Sequence, residues 1–450
     1  MPHHPLNARS TVRPSACPGL LRIVQALDGG ICRVKLAGGL LTSAQAQAIA
    51  LAAQRYASDV LELTNRSNLQ IRGVRPECEE QLIQAVIDVG LGPEQEASDD
   101  VRNLMLSPAA GLDPHAVLDT RPLAAELLAL LQGTPAFHAL SPKFAIQLDG
   151  GEALAMLSHP HDIWLSALPG APPRLAFGLA GCPTDAPLGT ILPSQAVPFM
   201  THLLSLFLEM ADERHSRMRQ LLEATPATQL LQQLEKRLPF SIEPPARTPT
   251  AGKSDASRTL LRPPGIFKQR QPDLAMVTAG VSLGRMDSQQ MVQLARIAEQ
   301  YAGSRLLLTP WQGVLLPEVP APRAAAAFDA LAAMGLLTDT SEPLTSLIAC
   351  TGATGCAKGL ADTKGDALAL AVKLKASGAR PVVHLSGCAR SCAAAHTTPF
   401  TLLASDNGRY QLHQQTPGVT GFGQLRATNL DMDTAADWFA NHCPAGNTDA

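Results

Sequence analysis

The chain has 450 residues, of which 46% are hydrophobic and 17% are charged, and its formal net charge is -3. This length predicts roughly three domains, and the near-neutral charge with only 4% aromatic residues disfavours nucleic-acid binding. The first residues have no signal-peptide core, and no apolar run is long enough to span a membrane. The nine cysteines are mostly scattered and do not suggest a disulfide scaffold. We therefore expect a cytoplasmic protein without a membrane partner.

The first ordered unit is predicted to combine a hairpin, a helix and two further strands. Residues 20–26 and 31–36 flank a turn signal, Asp28-Gly29-Gly30, and Arg33 and Lys35 would share one face of the second strand. The capping box that starts the helix is formed by Thr42 and Gln45. Residues 60–63 and 68–74 then read as strands around a turn.

This unit returns in the second part of the chain. Residues 41–74 and 286–319 align without a gap at an offset of 245 residues, which places Thr42 opposite Asp287. Ten of the 34 positions are identical. The capping positions, the apolar helix stripe and the strands all coincide. Chance similarity of two helix–strand units is the alternative, but an internal duplication explains the match better.

The two copies differ in one strand, whose polar residues define what we call the polar ladder. Its members alternate with apolar residues and are Arg66, Asn68, Gln70 and Arg72. The corresponding residues of the second copy are Trp311, Gly313, Leu315 and Pro317. On an extended strand the four polar groups would project from one face. Such a face either points to water or offers a donor-rich surface for carboxylates, and we favour the second interpretation.

Further candidates follow before the second copy. Arg102 and Asn103 lie in a turn, and Lys143 lies in a predicted strand over 141–148. The segment His159-Pro-His161-Asp162 has potential metal ligands, but an ordinary surface turn is the simpler interpretation. Residues 203–222 read as one helix whose basic end, 214–219, faces solvent. The predicted domains are 16–80, 90–240, 270–335 and 340–445, and residues 243–265 form a linker.

Four cysteines in two pairs form the most specific motif. Cys350 and Cys356 are separated by five residues, and Cys388 and Cys392 by three, with Gly, Ala, Thr and Ser around them. Small neighbours allow the backbone to curl around an inorganic cluster. The wider spacing disfavours a zinc knuckle, so a four-iron cluster is the preferred interpretation over zinc or unligated thiols.

The order of these motifs resembles the sulfite and nitrite reductase superfamily across nearly the whole chain. The resemblance rests on the strand 64–73, on Arg102-Asn103 and Pro142-Lys143-Phe144, on the degenerate second copy and on the cysteine pairs. It implies an α+β fold of two pseudo-symmetric halves, each with a ferredoxin-like repeat unit and a larger α/β domain. These halves would enclose a tetrapyrrole beside a 4Fe-4S cluster held by the four cysteines.

Within the superfamily, residues 16–22, 29–36 and 306–316 are similar to the precorrin-3B synthase branch. Members of that branch hydroxylate precorrin-3A at C-20 with O2 and form a lactone in cobalamin biosynthesis, so their tetrapyrrole is the substrate. The resemblance also implies a mononuclear non-haem iron, NADH as ultimate reductant, an electron-donor reductase as partner and a plausible monomer. Candidate iron ligands are His159, His161, His384 and His396.

The resemblance implies that the tetrapyrrole carboxylates are bound by the polar ladder and by Arg33, Lys35, Arg102, Asn103 and Lys143. Two alternatives stay open: a sirohaem-dependent sulfite or nitrite reductase, in which Cys392 would also bridge to sirohaem, and a non-catalytic iron–sulfur tetrapyrrole-binding protein. Reductases have a second Lys or an Asn two residues after the strand Lys, where this chain has Ala145. Synthases usually have His-Pro after the last cysteine, whereas here His396 follows three alanines.

Overall fold

The computed structural model describes residues 17–212, 214–245, 264–395, 398–416 and 421–443, so most of the predicted linker and His396 lie outside the described residues. Helices of the described part are α1 (Ser43–Tyr56), α2 (Glu79–Asp88), α3 (Arg121–Gly133), α4 (Ala196–Met210), α5 (Met218–Ala224), α6 (Ala227–Glu235), α7 (Ser288–Tyr301), α8 (Ala324–Ala333), α9 (Thr363–Ser377) and α10 (Met432–His442). In that part no helix is long and apolar enough to cross a membrane.

Two half-domains each consist of a five-stranded sheet and two helices. The strands of the first half-domain are β1 (Val24–Ala26), β2 (Gly29–Val34), β3 (Leu40–Thr42), β4 (Val60–Leu63) and β5 (Leu69–Val74). Those of the second half-domain are β11 (Gly265–Lys268), β12 (Leu274–Gly280), β13 (Arg285–Met286), β14 (Arg305–Leu308) and β15 (Gly313–Pro320). The predicted hairpin is present, since β1 and β2 pair in antiparallel fashion across the expected turn.

The half-domains exchange one short strand. The first sheet has the order β1-β2-β5-β4-β13 and the second has β11-β12-β15-β14-β3, so each borrows an edge strand from the other copy. Arg285 pairs with Glu62, and Leu40 pairs with Leu307. Both pairs are related by the same 245-residue offset. A single apolar core then runs through both half-domains, because α1 and α7 pack together beneath the sheets.

The backbone confirms the duplication in detail. Helices α1 and α7 have the same length and each begins with a capping box, and α2 and α8 keep the same 245-residue offset. Left-handed backbone angles also repeat at non-glycine positions, with φ of 65° at Asp59 and 62° at Ser304, and 58° at Ser67 and 60° at Gln312. Because such angles are uncommon outside glycine, their repetition shows that the two copies follow the same path.

The two larger domains also share one topology. The first sheet contains β6 (Leu104–Leu106), β7 (Ile146–Asp149), β8 (His161–Leu168), β9 (Arg174–Gly181) and β10 (Gly189–Ile191). The second contains β16 (Leu347–Ala349), β17 (Val383–Ser386), β18 (Phe400–Asp406), β19 (Arg409–Gln414) and β20 (Gln424–Leu430). In each, three parallel strands are followed by two antiparallel strands, with α3 or α9 between the first two strands. The predicted two-half α+β fold is therefore confirmed.

Two local predictions were wrong. The strand expected over 141–148 begins only at Ile146, because Phe144 N–H bonds to the Ser141 carbonyl oxygen and closes a turn. The single helix expected over 203–222 is interrupted between α4 and α5. In both cases a basic residue that was predicted to lie in a regular element lies in a loop instead. These residues are Lys143 and Arg217.

Candidate functional site

The four cysteines lie in two loops at one edge of the second large sheet. The first cysteine loop (residues 350–356) follows β16, and the second cysteine loop (residues 388–392) follows β17. These strands are neighbours and parallel, so their carboxyl ends meet at the same edge. Partial desolvation, and then the nearby thiols of Cys388, Cys350 and Cys356, raise the pKa of Cys392, which is itself solvent-exposed. The topology thus brings the four cysteines to the same edge of the sheet.

Glycines behind Cys350 allow this convergence. Gly387 donates its backbone N–H to Cys350 Sγ at 3.2 Å. A side chain at Gly387 would meet Gly359 Cα at 3.2 Å and Cys350 Sγ at 3.5 Å, so any larger residue would push the loops apart. Four thiols with a backbone donor aimed at sulfur fit a polynuclear iron–sulfur cluster.

The turn between β4 and β5 reaches across to the second cysteine loop. Asn65 Nδ2 donates to the carbonyl oxygens of Cys392 and Ala393, both at 3.3 Å. The two halves therefore meet at the cysteines. Sequence reasoning missed Asn65, because its relevance depends on a contact between residues more than 300 positions apart.

The polar ladder does not form one continuous face. Strand β5 begins at Leu69, so Arg66 and Asn68 lie in the preceding turn. Asn68 Oδ1 accepts a hydrogen bond from the Leu36 N–H at 2.9 Å, which makes it part of the scaffold. With its amide oxygen facing Arg33, Gln70 accepts from Arg33 Nη2 at 2.7 Å across the β2–β5 ladder.

Arg72 is occupied by protein groups. Its side chain is 4% exposed, it forms two hydrogen bonds of 2.8 Å with Asp28, and its Nη1 lies 3.3 Å from Glu62 Oε2. Its Nη2 also donates to the carbonyl oxygen of Gly355 in the first cysteine loop at 3.3 Å. Arg72 therefore holds the cysteine loop instead of offering a free face, which corrects the expectation for this ladder position.

A basic group remains beside the second cysteine loop. We call Arg33, Arg66 and Arg217 the arginine cluster. Burial, and then the nearby charges of Arg217 and Arg33, lower the pKa of Arg66 to about 10, which leaves it charged at neutral pH. Burial also lowers the pKa of Arg33, although the thiols of Cys17 and Cys392 oppose this shift. Arg33 is thus close to the thiols and Arg66 is close to Arg33.

Arg217 was predicted to face solvent, but its guanidinium binds the buried Asp162. Arg217 Nε is 2.9 Å from both carboxylate oxygens of Asp162, which is 1% exposed. Arg66 Nε donates to His159 Nε2 at 3.2 Å. His159, His161 and Asp162 are therefore buried at the arginine cluster, and the simpler interpretation as a surface turn was wrong. No sequence signal links Arg217 to residues 55 positions earlier.

Most other predicted binding residues hold loops. Arg102 donates to the carbonyl oxygens of Leu91 and Gly92 and pairs with Asp99 at 3.2 Å. The side-chain amide of Asn103 donates to three backbone carbonyl oxygens, those of Asp100, Pro142 and Phe144.

The two lysines differ in environment. Lys35 is buried beyond the end of β2 and donates to the Asp99 carbonyl oxygen, and burial lowers its pKa to about 8. Lys143 is exposed in its turn.

The three candidate iron ligands that the structure describes are buried but dispersed. His159 and His161 are adjacent, with ring centroids 4.9 Å apart, whereas His384 lies on β17 of the other large domain. Among the described residues, no group of three or more His, Cys, Asp or Glu side chains is arranged around a single metal ion. The expectation of a mononuclear iron therefore stays a prediction.

Comparison with known families now places the fold. The nitrite/sulfite reductase ferredoxin-like half domain matches residues 24–88 and 267–334, and the nitrite and sulphite reductase 4Fe-4S domain matches residues 97–242. Together these segments cover more than half of the chain. The chain belongs to the nitrite and sulfite reductase family. The 4Fe-4S family match supports an iron–sulfur cluster, although the matched segment is the first large domain and the four cysteines lie in the second.

Relatives within this family have two different activities. The ferredoxin–nitrite reductase of maize chloroplasts (Zea mays) is 31% identical over 80% of this chain and 67% of that enzyme, and the Arabidopsis thaliana enzyme is 29% identical over 80% and 64%. The precorrin-3B synthase of a Sinorhizobium species is 26% identical over 89% of this chain and 82% of that enzyme. The chain thus spans about two thirds of the length of these nitrite reductases. All three relatives are oxidoreductases.

A solved structure supports the same fold. The NirA protein of Mycobacterium tuberculosis has a TM-score of 0.76 with 21% sequence identity, and the match covers 93% of this chain and 82% of that one. At this identity the similarity concerns the fold alone. The two-half architecture is therefore that of the family.

Proposed function

We propose that this protein is a precorrin-3B synthase, which hydroxylates precorrin-3A at C-20 with O2 and closes a lactone in aerobic cobalamin biosynthesis. The observation that carries the proposal is the extent of the match with the Sinorhizobium synthase, which includes 89% of this chain and 82% of that enzyme. The maize nitrite reductase match leaves a third of the relative without a counterpart. The synthase match also extends over more of this chain, 89% against 80%.

The arginine cluster supplies the charge that such a substrate needs. A precorrin has a ring of acetate and propionate carboxylates, and guanidinium groups bind carboxylates through paired hydrogen bonds. Arg66 and Arg33 are partly buried next to the second cysteine loop, where reduced solvent exposure strengthens their attraction for an anion. Of the predicted ligands, these two are the best placed to bind a substrate carboxylate.

In this proposal Cys350, Cys356, Cys388 and Cys392 hold a 4Fe-4S cluster. The cluster would supply electrons for oxygen activation, and NADH through an electron-donor reductase would be their source. The chain itself would position the substrate. Asn65 fixes the second cysteine loop, and the next residue, Arg66, belongs to the arginine cluster. A mononuclear non-haem iron belongs to the proposed system, with ligands still to be assigned.

A sirohaem-dependent nitrite or sulfite reductase is the second candidate. It is favoured by the higher identity, 31%, with the maize enzyme. In that case Cys392 would also bridge to the sirohaem iron. The buried Ala145, at the position where reductases have a second polar residue, weakens this candidate because its side chain has no donor for an oxyanion.

The absorption spectrum of anaerobically purified protein tests the proposal. A broad iron–sulfur shoulder without a Soret band is expected for the synthase. Intense Soret bands from tightly bound sirohaem would instead establish the reductase. The protein is then incubated with precorrin-3A, O2 and a reductant, and a product heavier by one oxygen atom is expected. Binding of precorrin-3A without turnover would indicate a non-catalytic tetrapyrrole-binding protein.

A further inference from the structure

Glu62 lies at the meeting point of the first sheet, the exchanged strand and the first cysteine loop. It is 7% exposed on β4. Its Oε1 accepts from Arg285 Nη2 at 2.6 Å, and its Oε2 accepts from Arg72 Nη1 at 3.3 Å and from Thr351 Oγ1 at 3.1 Å. Thr351 directly follows Cys350, so the carboxylate is hydrogen-bonded to the cysteine loop itself.

Three cations keep Glu62 ionised. Burial opposes its charge, but Lys364, Arg72 and Arg285 outweigh burial and lower the pKa of Glu62 to about 2. Lys364 Nζ lies 3.7 Å from Glu62 Oε1, and the side chains of both residues are about one tenth exposed. A buried carboxylate surrounded by three cations is a fixed negative charge at all physiological pH values.

Two of these cations also donate hydrogen bonds to backbone carbonyl oxygens at the first cysteine loop. Lys364 Nζ donates to the carbonyl oxygen of Ala349, the residue before Cys350, at 3.3 Å. Arg72 Nη2 donates to the carbonyl oxygen of Gly355, the residue before Cys356. Gly355 packs so closely on Asp28 that a side chain there would lie 2.8 Å from the Asp28 carboxylate. Both ends of the loop are thus tied to the Glu62 network.

The fold does not require this carboxylate. The second half-domain has the same strand, and the residue 245 positions after Glu62 is Leu307, which is buried in an apolar contact. One copy therefore keeps an ionic network at a position where the other copy is hydrophobic. Because the network occurs only in the copy that touches the cysteines, its purpose is connected with them.

We propose that Glu62 is a positioning residue of the iron–sulfur centre, which anchors the first cysteine loop through Thr351 and sets the electrostatic field at the cluster. The inference rests on the proposed assignment of the cluster to the four cysteines, and it is independent of the tetrapyrrole substrate. Three cations face two carboxylates, Glu62 and Asp28, in this network. Removing one carboxylate adds net positive charge beside the cluster, which favours the reduced cluster with its extra electron.

The two parts of the role are separated by two variants. Glu62→Gln removes the charge but keeps the shape, and it is expected to shift the reduction potential of the cluster to a more positive value. Thr351→Val keeps the charge but removes the anchoring hydroxyl. It is expected to accelerate loss of iron to a chelator by roughly 10- to 100-fold, the usual effect of losing an outer-shell partner. Glu77→Gln, an exposed carboxylate of the same half-domain, is the matched control and is expected to change neither quantity.

The potential is measured by redox titration of the holoprotein, and iron loss by the decay of cluster absorbance. An unchanged potential in Glu62→Gln, or an unchanged rate in Thr351→Val, overturns the proposal. If Glu62→Gln does not fold, Asp28→Asn, which removes the second carboxylate at a partly exposed position, replaces it under the same criterion. Failure of the proposed cluster assignment would be recognised separately, because the unmodified protein would then contain no cluster.

Discussion

Each large domain contacts the half-domain sheet of the other half, and the two contacts differ in chemistry. At the contact with the cysteines, Thr351 and Gly355 of the second large domain meet Glu62 and Arg72 of the first half-domain. At the other contact, the loops after β6 and β7 meet the second sheet through an apolar cluster, which consists of Ala109, Leu112, Leu154, Met276, Leu307 and Leu315. Leu307 and Leu315 occupy the positions of Glu62 and Gln70.

The difference between the two contacts separates what the duplicated fold needs for docking from what one copy has in addition. The apolar contact docks a large domain on a sheet through hydrophobic burial, together with hydrogen bonds from Arg270 and Gln271 to backbone carbonyl oxygens of the loop after β6. Buried charges are costly unless they are paired, so a network of three cations and two carboxylates is not retained for docking alone. In the proposed function, the charged copy is the one that contacts the metal centre and the anionic ligand.

Replacing a cysteine is expected to give the largest effect. Cys356→Ser should abolish the cluster, because a 4Fe-4S centre needs its thiolate ligands. Iron and sulfide analysis of the purified protein checks this outcome. Cys182→Ser, outside the two cysteine loops, is the control and should keep full cluster content. An intact cluster in Cys356→Ser would refute the ligand assignment.

A carboxylate introduced into the apolar contact tests whether that contact tolerates a charge. Leu307→Glu would place a carboxylate in the apolar contact, against Met276 and Leu315. We expect a loss of about 3 kcal/mol or more in the free energy of unfolding, measured by urea denaturation. Leu51→Glu, at a position that is 56% exposed, should lose far less. Equal losses would mean that the apolar contact does not exclude charge.

The loop after β7, which corresponds to the second cysteine loop, predicts a pH dependence. Burial and the charge of Asp149 raise the pKa of Glu152 to about 8 from an ordinary value of 4.5. The unfolded chain releases this proton at lower pH than the folded protein, so stability is full below about pH 4.5 and falls as the pH rises towards 8. The expected fall is roughly 3–5 kcal/mol, at about 1.4 kcal/mol per pKa unit. Glu152→Gln should remove this contribution from the pH profile of unfolding, and an unchanged profile would contradict it.

A smaller effect is expected at the arginine cluster. Arg66→Ala should weaken binding of precorrin-3A by about 1.5–3 kcal/mol if the guanidinium pairs with a substrate carboxylate. Equilibrium titration measures the affinity, and the exposed Arg55→Ala provides a control that should bind normally. Unchanged affinity in Arg66→Ala would show that this arginine serves only its contact with His159.

Sequence reasoning succeeded where the signal was local or repeated. The capping boxes at Thr42 and Asp287 are short-range patterns, and the structure confirms both. It was less successful for the polar ladder, because alternation along the chain does not reveal that β5 begins at Leu69 or that Arg72 binds Asp28. Arg217 was missed because Asp162 is distant in sequence.

The duplication, the two-half fold and the cysteine motif could be predicted from residue spacing and residue type. Which cations hold the cysteine loops and which remain beside them became evident only from the contacts in the folded protein. The polar ladder was predicted to project four polar groups from one face, yet Asn68 and Arg72 are bound to the scaffold and Arg66 joins Arg33 and Arg217. The role of a charged side chain depends on its nearest partners, because electrostatic interactions weaken with distance. Those partners come from segments that are distant in sequence and meet only in the fold.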